Sequence, residues 1–233
     1  MLDVPQLTAE EIQSRVLHRD GLMLVIDKPP GLPVHRGPKG GPNLEASFDA
    51  LRFGLPRPPV LAHRLDKDTS GCLVLGRHRK ATASLGLLFK HGKISKTYWA
   101  IVEGGPAEDE GTIDMPLGRL NAERGWWQKV DPEGQPAVTN WKVMGRGDRL
   151  TWMALEPVTG RTHQLRVHSA ALGWPIFGDN IYGNGPRFGE PRLHLHSREI
   201  GIPISKNKDP VRVVAPAPEH MRERLKACGW NGE

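Results

Sequence analysis

The chain has 233 residues, 38% of them hydrophobic and 25% charged, enough for one sizeable core or one domain with a small appendage. A formal charge of +6 suits a polyanionic partner without singling one out. Two distant cysteines, Cys72 and Cys228, exclude a CxxC zinc or redox site, and no apolar run approaches the roughly 18–20 residues of a membrane helix.

The opening segment has no basic n-region or apolar h-region and does not read as a signal peptide; a soluble, cytoplasmic protein is expected. Thr8-Ala-Glu-Glu11 reads as a capping box that opens a short helix. Arg15 to His18, a turn over 19–21 and Leu22 to Asp27 read as strand, turn and strand. The three prolines between Lys28 and Pro33 make a rigid loop, since proline removes ladder donors. Leu44, Phe48 and Leu51 have helical spacing, with Gly54 as a stop. The polar stretch His63-Arg-Leu-Asp66 to Thr69-Ser-Gly71 runs into an apolar strand, Cys72 to Leu75. A helix is predicted over Lys80 to Lys90 with Leu85, Leu88 and Phe89 inward, then a strand over Lys96 to Glu103. Residues 112–157 are strand-rich, with Trp126, Trp127, Trp141 and Trp152 in or near strands. Thr162 to Leu172 reads as a helix capped by Thr162 and stopped by Gly173 and Pro175, with Leu165 and Leu172 facing the core. Arg192 to Ile200 and Val211 to Val214 follow as strands, and Pro218 to Cys228 as a terminal helix. Strands outnumber helices without regular alternation, which argues for α+β with a largely antiparallel or mixed sheet.

Two segments concentrate chemistry. If 63–66 is extended, Arg64 and Asp66 share one face while Leu65 packs on the other; this is a carboxylate at the lip of a core strand, or a charged turn closing a hairpin. In Gly160-Arg-Thr-His-Gln-Leu-Arg-Val-His168, His163 and Arg166 are helix neighbours and Arg161 lies at an amide-rich helix start where a phosphate can bind. Arg166, at the edge of the core, needs an anionic partner if buried; otherwise it is a surface cation. His163 and His168 fall on different helix faces, and His194 and His196 share a strand face with no carboxylate beside them, so no metal site is expected. No Walker loop, dinucleotide fingerprint or nucleophile elbow occurs, so no cofactor is expected either.

Together these segments resemble the RluA-type RNA pseudouridine synthase family. The match is carried by Asp27 to His35, by His63-Arg-Leu-Asp66 with Thr69-Ser-Gly71, by Lys96-Thr-Tyr98, by Gly160 to His168, by Ala171 to Asp179 and by Leu193 to Ser197, in the family's order. The resemblance implies a long, bent, mixed and largely antiparallel sheet flanked by helices and loops, with a central active-site cleft. It implies a catalytic domain over 21–233 after an extension of 1–20, too short for the RNA-binding S4 domain that some members carry. It implies an isomerase that converts uridine to pseudouridine in ribosomal or transfer RNA, with no cofactor, no metal and no membrane. By resemblance Asp66 is the catalytic carboxylate, Tyr98 stacks on the target base and Arg166 pairs with Asp66. Arg64 fills the gap left by the flipped nucleotide, Leu195 completes the pocket wall, and His63 and His163 support loop geometry. Asp66 acts as nucleophile or base only when ionised, a form that a neighbouring guanidinium favours; attack on the sugar, attack on the base and proton abstraction from C2′ all stay open. RNA phosphates are expected to meet lysines and arginines between Lys28 and Arg187, among them Arg77, Lys96, Arg119, Arg124 and Arg161. The segments 104–110 and 118–136, with Trp126 and Trp127 as candidate stacking surfaces, are where substrate choice is expected. A monomer is expected, as no heptad surface stands out. The competing readings are a non-catalytic RNA-binding or assembly factor on the same fold, and a metal-free nuclease or glycosidase using Asp66 and nearby histidines, for which no second carboxylate is evident.

Overall fold

The computed structural model describes residues 4–233. The chain divides into two compact units, residues 1–96 with 197–216 and residues 97–196 with 217–233. Both are α+β with antiparallel strand pairing, as the sequence leads one to expect. Among the described residues no helix is long and apolar enough to cross a membrane.

The first unit opens with helix α1, Ala9–Ser14, whose capping box is formed in both directions between Thr8 and Glu11. Strands β1 (Val16–Arg19), β2 (Met23–Lys28), β3 (Val60–Leu61) and β4 (Ser70–Gly76) follow. β2 pairs with β1 and β4, and β3 with β4, all antiparallel. Every residue of β4 is buried, which its Cys-Leu-Val-Leu run requires of a strand covered on both faces. The predicted 44–51 helix is a 3-10 helix, Glu45–Leu51, burying Phe48 and Leu51. Helix α2, Arg79–Lys90, is capped by the His78 side chain and packs Leu85 into a core with Met23, Val25, Cys72 and Val74. Strand β12, Val211–Val214, pairs antiparallel with the later part of β11 (Leu195–Ile202).

In the second unit β5 (Ser95–Glu103, here from residue 97), β10 (Leu150–Pro157), β9 (Val138–Arg146) and β6 (Glu110–Asp114) lie side by side in that order. Side chains alternate across this sheet as a period of two demands. Ala100, Val102, Met153 and Leu155 join one core with Leu165 of α3 (Gln164–Ala171). Trp99, Ile101, Trp152 and Ala154 join another with Met221 and Leu225 of α4 (Glu219–Ala227). A helix on each face therefore closes the sheet. A separate two-stranded hairpin is formed by β7 (Leu117–Arg119) and β8 (Gln128–Val130). Trp141 and Trp152 sit in strands, whereas Trp126 and Trp127 occupy the hairpin's turn, Trp126 at 65% exposure.

Candidate active site

In the first unit, residues 62–69 leave the ladder. Burial still alternates, with Arg64 exposed, Leu65 buried and Asp66 half-buried, but 63–66 pairs with no strand, and the Thr69 amide donates to the Asp66 carbonyl to form a turn. His63 holds the start of this loop: its Nε2 accepts the Val74 amide at 3.0 Å, and its ring stacks on Phe89 at 4.2 Å. The Gly71 that ends the motif has φ +105, and a Cβ there would lie 2.2 Å from the Ser197 carbonyl oxygen. Positive φ and close backbone approach both require glycine.

Beneath the loop lies Lys28, fully buried, which corrects the expectation that it contacts phosphate. Its Nζ donates to the carbonyls of Pro29, Lys67 and Thr69 at 2.9, 2.7 and 2.9 Å. Burial pushes its pKa down to about 7, while the charges of Asp68 and Asp66 oppose that. Three acceptors for three ammonium protons fit the charged form. Lys28→Met removes one donor from each of those carbonyls, two of them in the Asp66 loop. The expected cost is about 2–4 kcal/mol in urea unfolding, against a tenth of that for an exposed lysine such as Lys93. Arg77 is likewise occupied, donating to the carbonyls of Asp20, Arg52 and Phe53.

In the second unit α3 begins at Gln164, not at Thr162. Its N-cap position is His163, left-handed at φ 55 and making no side-chain cap; the Gln164 side chain instead accepts from the Arg161 amide and the Thr159 hydroxyl. Arg161 donates from Nε to the Pro136 carbonyl. Leu165 is buried as expected, but Leu172 is exposed. His163 Nδ1 lies 2.6 Å from the Tyr182 hydroxyl. Arg166, 4% exposed, forms a two-point pair with Asp179, Nε to Oδ2 at 2.9 Å and Nη2 to Oδ1 at 2.7 Å. Burial by itself raises the Asp179 carboxyl, but the Arg166 bonds and charge, with the amides of Ile181 and Tyr182, outweigh it and hold it below the usual carboxylate value. Tyr98 is half-buried and packs on the cluster that contains Leu195 and Leu165, so this unit gathers Tyr98 and Leu195 at one core.

Asp66, Arg64 and His63 thus belong to the first unit and Tyr98, Arg161, His163, Arg166 and Leu195 to the second. Asp179, Tyr182 and the support by Lys28 were not assigned from sequence; the first lies within the Ala171 to Asp179 string, whose glycine-aspartate end was the available signal. Among the described residues no group of three or more His, Cys, Asp or Glu is placed to hold a metal ion.

The buried histidines set an acid limit. Burial, with Lys96 nearby, lowers His63 from 6.5 to about 3, and burial lowers His194 to about 3. Both are neutral when folded and free to charge when unfolded, so the unfolded state binds more protons between those values. Their stabilising contribution is present above pH 6.5 and lost as pH falls toward 3. Asp27, raised to about 6 by burial, opposes one of them. These three groups together leave a net of one proton, and His168 and His220, also lowered by burial, act in the same direction. Stability is therefore expected to fall by at least about 1 kcal/mol per pH unit from pH ~6 to ~4. Urea melts across that range check it; stability that holds or rises on acidification contradicts it.

Comparison with known proteins assigns the class. The model of the RNA pseudouridylate synthase family matches residues 22–171, and the chain belongs to that family. It is 42% identical over 210 residues to an uncharacterized RNA pseudouridine synthase of Zymomonas mobilis, covering 89% of this chain and 95% of that one. It is 32% identical to ribosomal large subunit pseudouridine synthase C of Vibrio cholerae, covering 92% and 69%. Among solved structures, human RNA pseudouridylate synthase domain containing 4 aligns with a TM-score of 0.79 at 28% identity, covering 94% and 95%. The chain is an isomerase that converts uridine to pseudouridine in RNA.

Proposed function

We propose that the protein acts as a cytoplasmic monomer on structured ribosomal or transfer RNA and uses Asp66 as its catalytic carboxylate on a flipped-out uridine. The observation that carries this reading is the Asp66 loop itself, a half-buried acid on a turn whose carbonyls are gripped by a fully buried lysine. Such a carboxylate is pre-positioned, and positioning lowers the barrier to reaction.

Expelling a stacked uridine costs a few kcal/mol, offset by stacking on a ring and by filling the vacancy. Tyr98 is the proposed ring and Arg64, exposed two residues before Asp66, the proposed filler. The N1–C1′ bond breaks, the uracil turns, C5–C1′ forms, and the proton on C5 leaves as N1 gains one. Neither redox change nor phosphate transfer is involved. An apolar wall of Tyr98 and Leu195 would keep the detached base beside its ribose until it rebonds.

The test is release of tritium from RNA labelled at uracil C5, run separately on purified ribosomal and transfer RNA. Ribosomal RNA is the first choice, because Vibrio relatives at 32% and 33% identity carry large-subunit names. Release without strand shortening is the expected result. Retention of label on both substrates would overturn the substrate assignment.

A further inference from the structure

The segment Gly178-Asp-Asn-Ile-Tyr-Gly-Asn-Gly185 is closed on itself. The Gly185 amide donates to the Asp179 carbonyl at 2.9 Å, the amides of Ile181 and Tyr182 donate to Oδ1 of Asp179, and a Cβ on Gly185 would meet the Gly178 backbone at 2.4 Å. A loop so constrained can hold other parts in place. One of its side chains, Asp179, holds Arg166. Another, Tyr182, touches three elements at once.

Its ring lies against the Arg166 guanidinium, 5.4 Å from centroid to Cζ, and packs on Leu117, Ala137 and Val167. Its hydroxyl oxygen is 2.9 Å from the Gln128 amide, at the start of β8, and 2.6 Å from Nδ1 of His163, at the head of α3. A backbone amide can only donate, so the oxygen accepts from Gln128, and the same oxygen shares a second hydrogen bond with His163 Nδ1. The same hydroxyl therefore helps to hold His163 in its left-handed conformation, which is sparsely populated for a residue other than glycine. The β7–β8 hairpin has only two strands, a form that is marginal without outside support. Its turn carries exposed Trp126, and Arg124 stacked on Trp127 at 4.5 Å, an aromatic and cationic pairing suited to unstacked bases and phosphates.

We propose that Tyr182 is a positioning residue, one whose hydroxyl fixes the β7–β8 hairpin to the head of the helix that carries Arg166, so that RNA held on the hairpin is kept at a set distance from that helix. The proposal rests on the reading of the protein as an enzyme that grips structured RNA and adds the residue that couples grip to site. Tyr182 does not touch the reacting atoms and acts through its neighbours.

Tyr182→Phe keeps the ring over Arg166 and removes only the hydroxyl. Hydrogen exchange on the free protein is expected to quicken about five- to tenfold at Gln128 and its hairpin neighbours, the scale of one lost hydrogen bond, with β9 and β10 unchanged. Kinetics on C5-tritiated RNA are expected to show KM raised by a similar factor and kcat within about twofold. Tyr182→Leu, which also removes the ring, is expected to lower kcat in addition. Unchanged hairpin exchange in Tyr182→Phe, or a fall in kcat at constant KM, would overturn the proposal. Trp126→Ala separates the underlying reading: it is expected to raise KM while hairpin exchange stays as in the parent. A KM equal to the parent's would reject the hairpin as an RNA contact, and with it the coupling.

Discussion

Asp66→Asn is expected to abolish tritium release, with a rate at least about 10³-fold below the parent, while the protein stays folded and still binds RNA. The amide has nearly the same shape but can neither attack as a nucleophile nor take a proton, and loss of either function costs factors of this order. Three bonds that shape the turn pass through main-chain oxygens: Thr69 amide to the Asp66 carbonyl, Gly31 amide and Lys28 ammonium to the Lys67 carbonyl. A side-chain change at 66 leaves those acceptors where they are. Removing a negative charge also favours a polyanion slightly, so affinity is expected to hold or rise. Circular dichroism and a filter-binding titration provide the controls. A residual rate above about one part in a hundred, in protein that is folded and binds RNA, would remove Asp66 from the catalytic role. Loss of binding along with activity would instead assign it to substrate capture.

Lys28 marks the limit of what the sequence conveys about this loop. The string Asp27-Lys-Pro-Pro-Gly identifies a rigid loop after a strand, because proline restricts φ locally. Whether the lysine faces solvent or three carbonyls depends on where 67 and 69 return in space, some forty residues on. The capping box at Thr8 and the apolar run of β4 were readable for the opposite reason: the partners of the first lie within four residues, and the second needs only burial on both faces. The start of α3 failed on a long-range effect. Thr162 has the composition of a cap, but His163 takes up a left-handed conformation next to a tyrosine nineteen residues later. For Arg166 the sequence supplied a requirement, an anion to accompany burial, and family resemblance offered Asp66. The second unit by itself supplies Asp179, whose glycine-aspartate setting is visible in the sequence but whose pairing with Arg166 is not. Tyr98 and Leu195 were named from the resemblance alone; packing in one core cluster gives them a common location, which an alternating strand pattern could not.

Asp179→Ala is expected to be the most destabilising single change in the second unit, at about 3–5 kcal/mol, the range for breaking one side of a buried ion pair. Arg166 is 4% exposed and Asp179 1%, so water cannot readily replace the lost carboxylate. The amides of Ile181 and Tyr182 lose their acceptor in the same step. For a chain of this size that corresponds to a fall of about 6–20 °C in Tm. Asp179→Asn keeps an oxygen for those amides and gives up the charge, so its loss should be roughly half. The informative variant is the double one. Arg166→Met with Asp179→Leu replaces the pair by apolar side chains, and buried pairs replaced in this way usually lose little stability. It should therefore melt above Asp179→Ala while remaining inactive, and the double-mutant cycle should return a coupling energy of 2 kcal/mol or more, on the order of that for contacting residues. If the double variant is no more stable than Asp179→Ala, the pair is not what holds the loop, and its closed backbone is. If it isomerises uridine, Arg166 has no part in the chemistry, and the pair is a structural fastener alone.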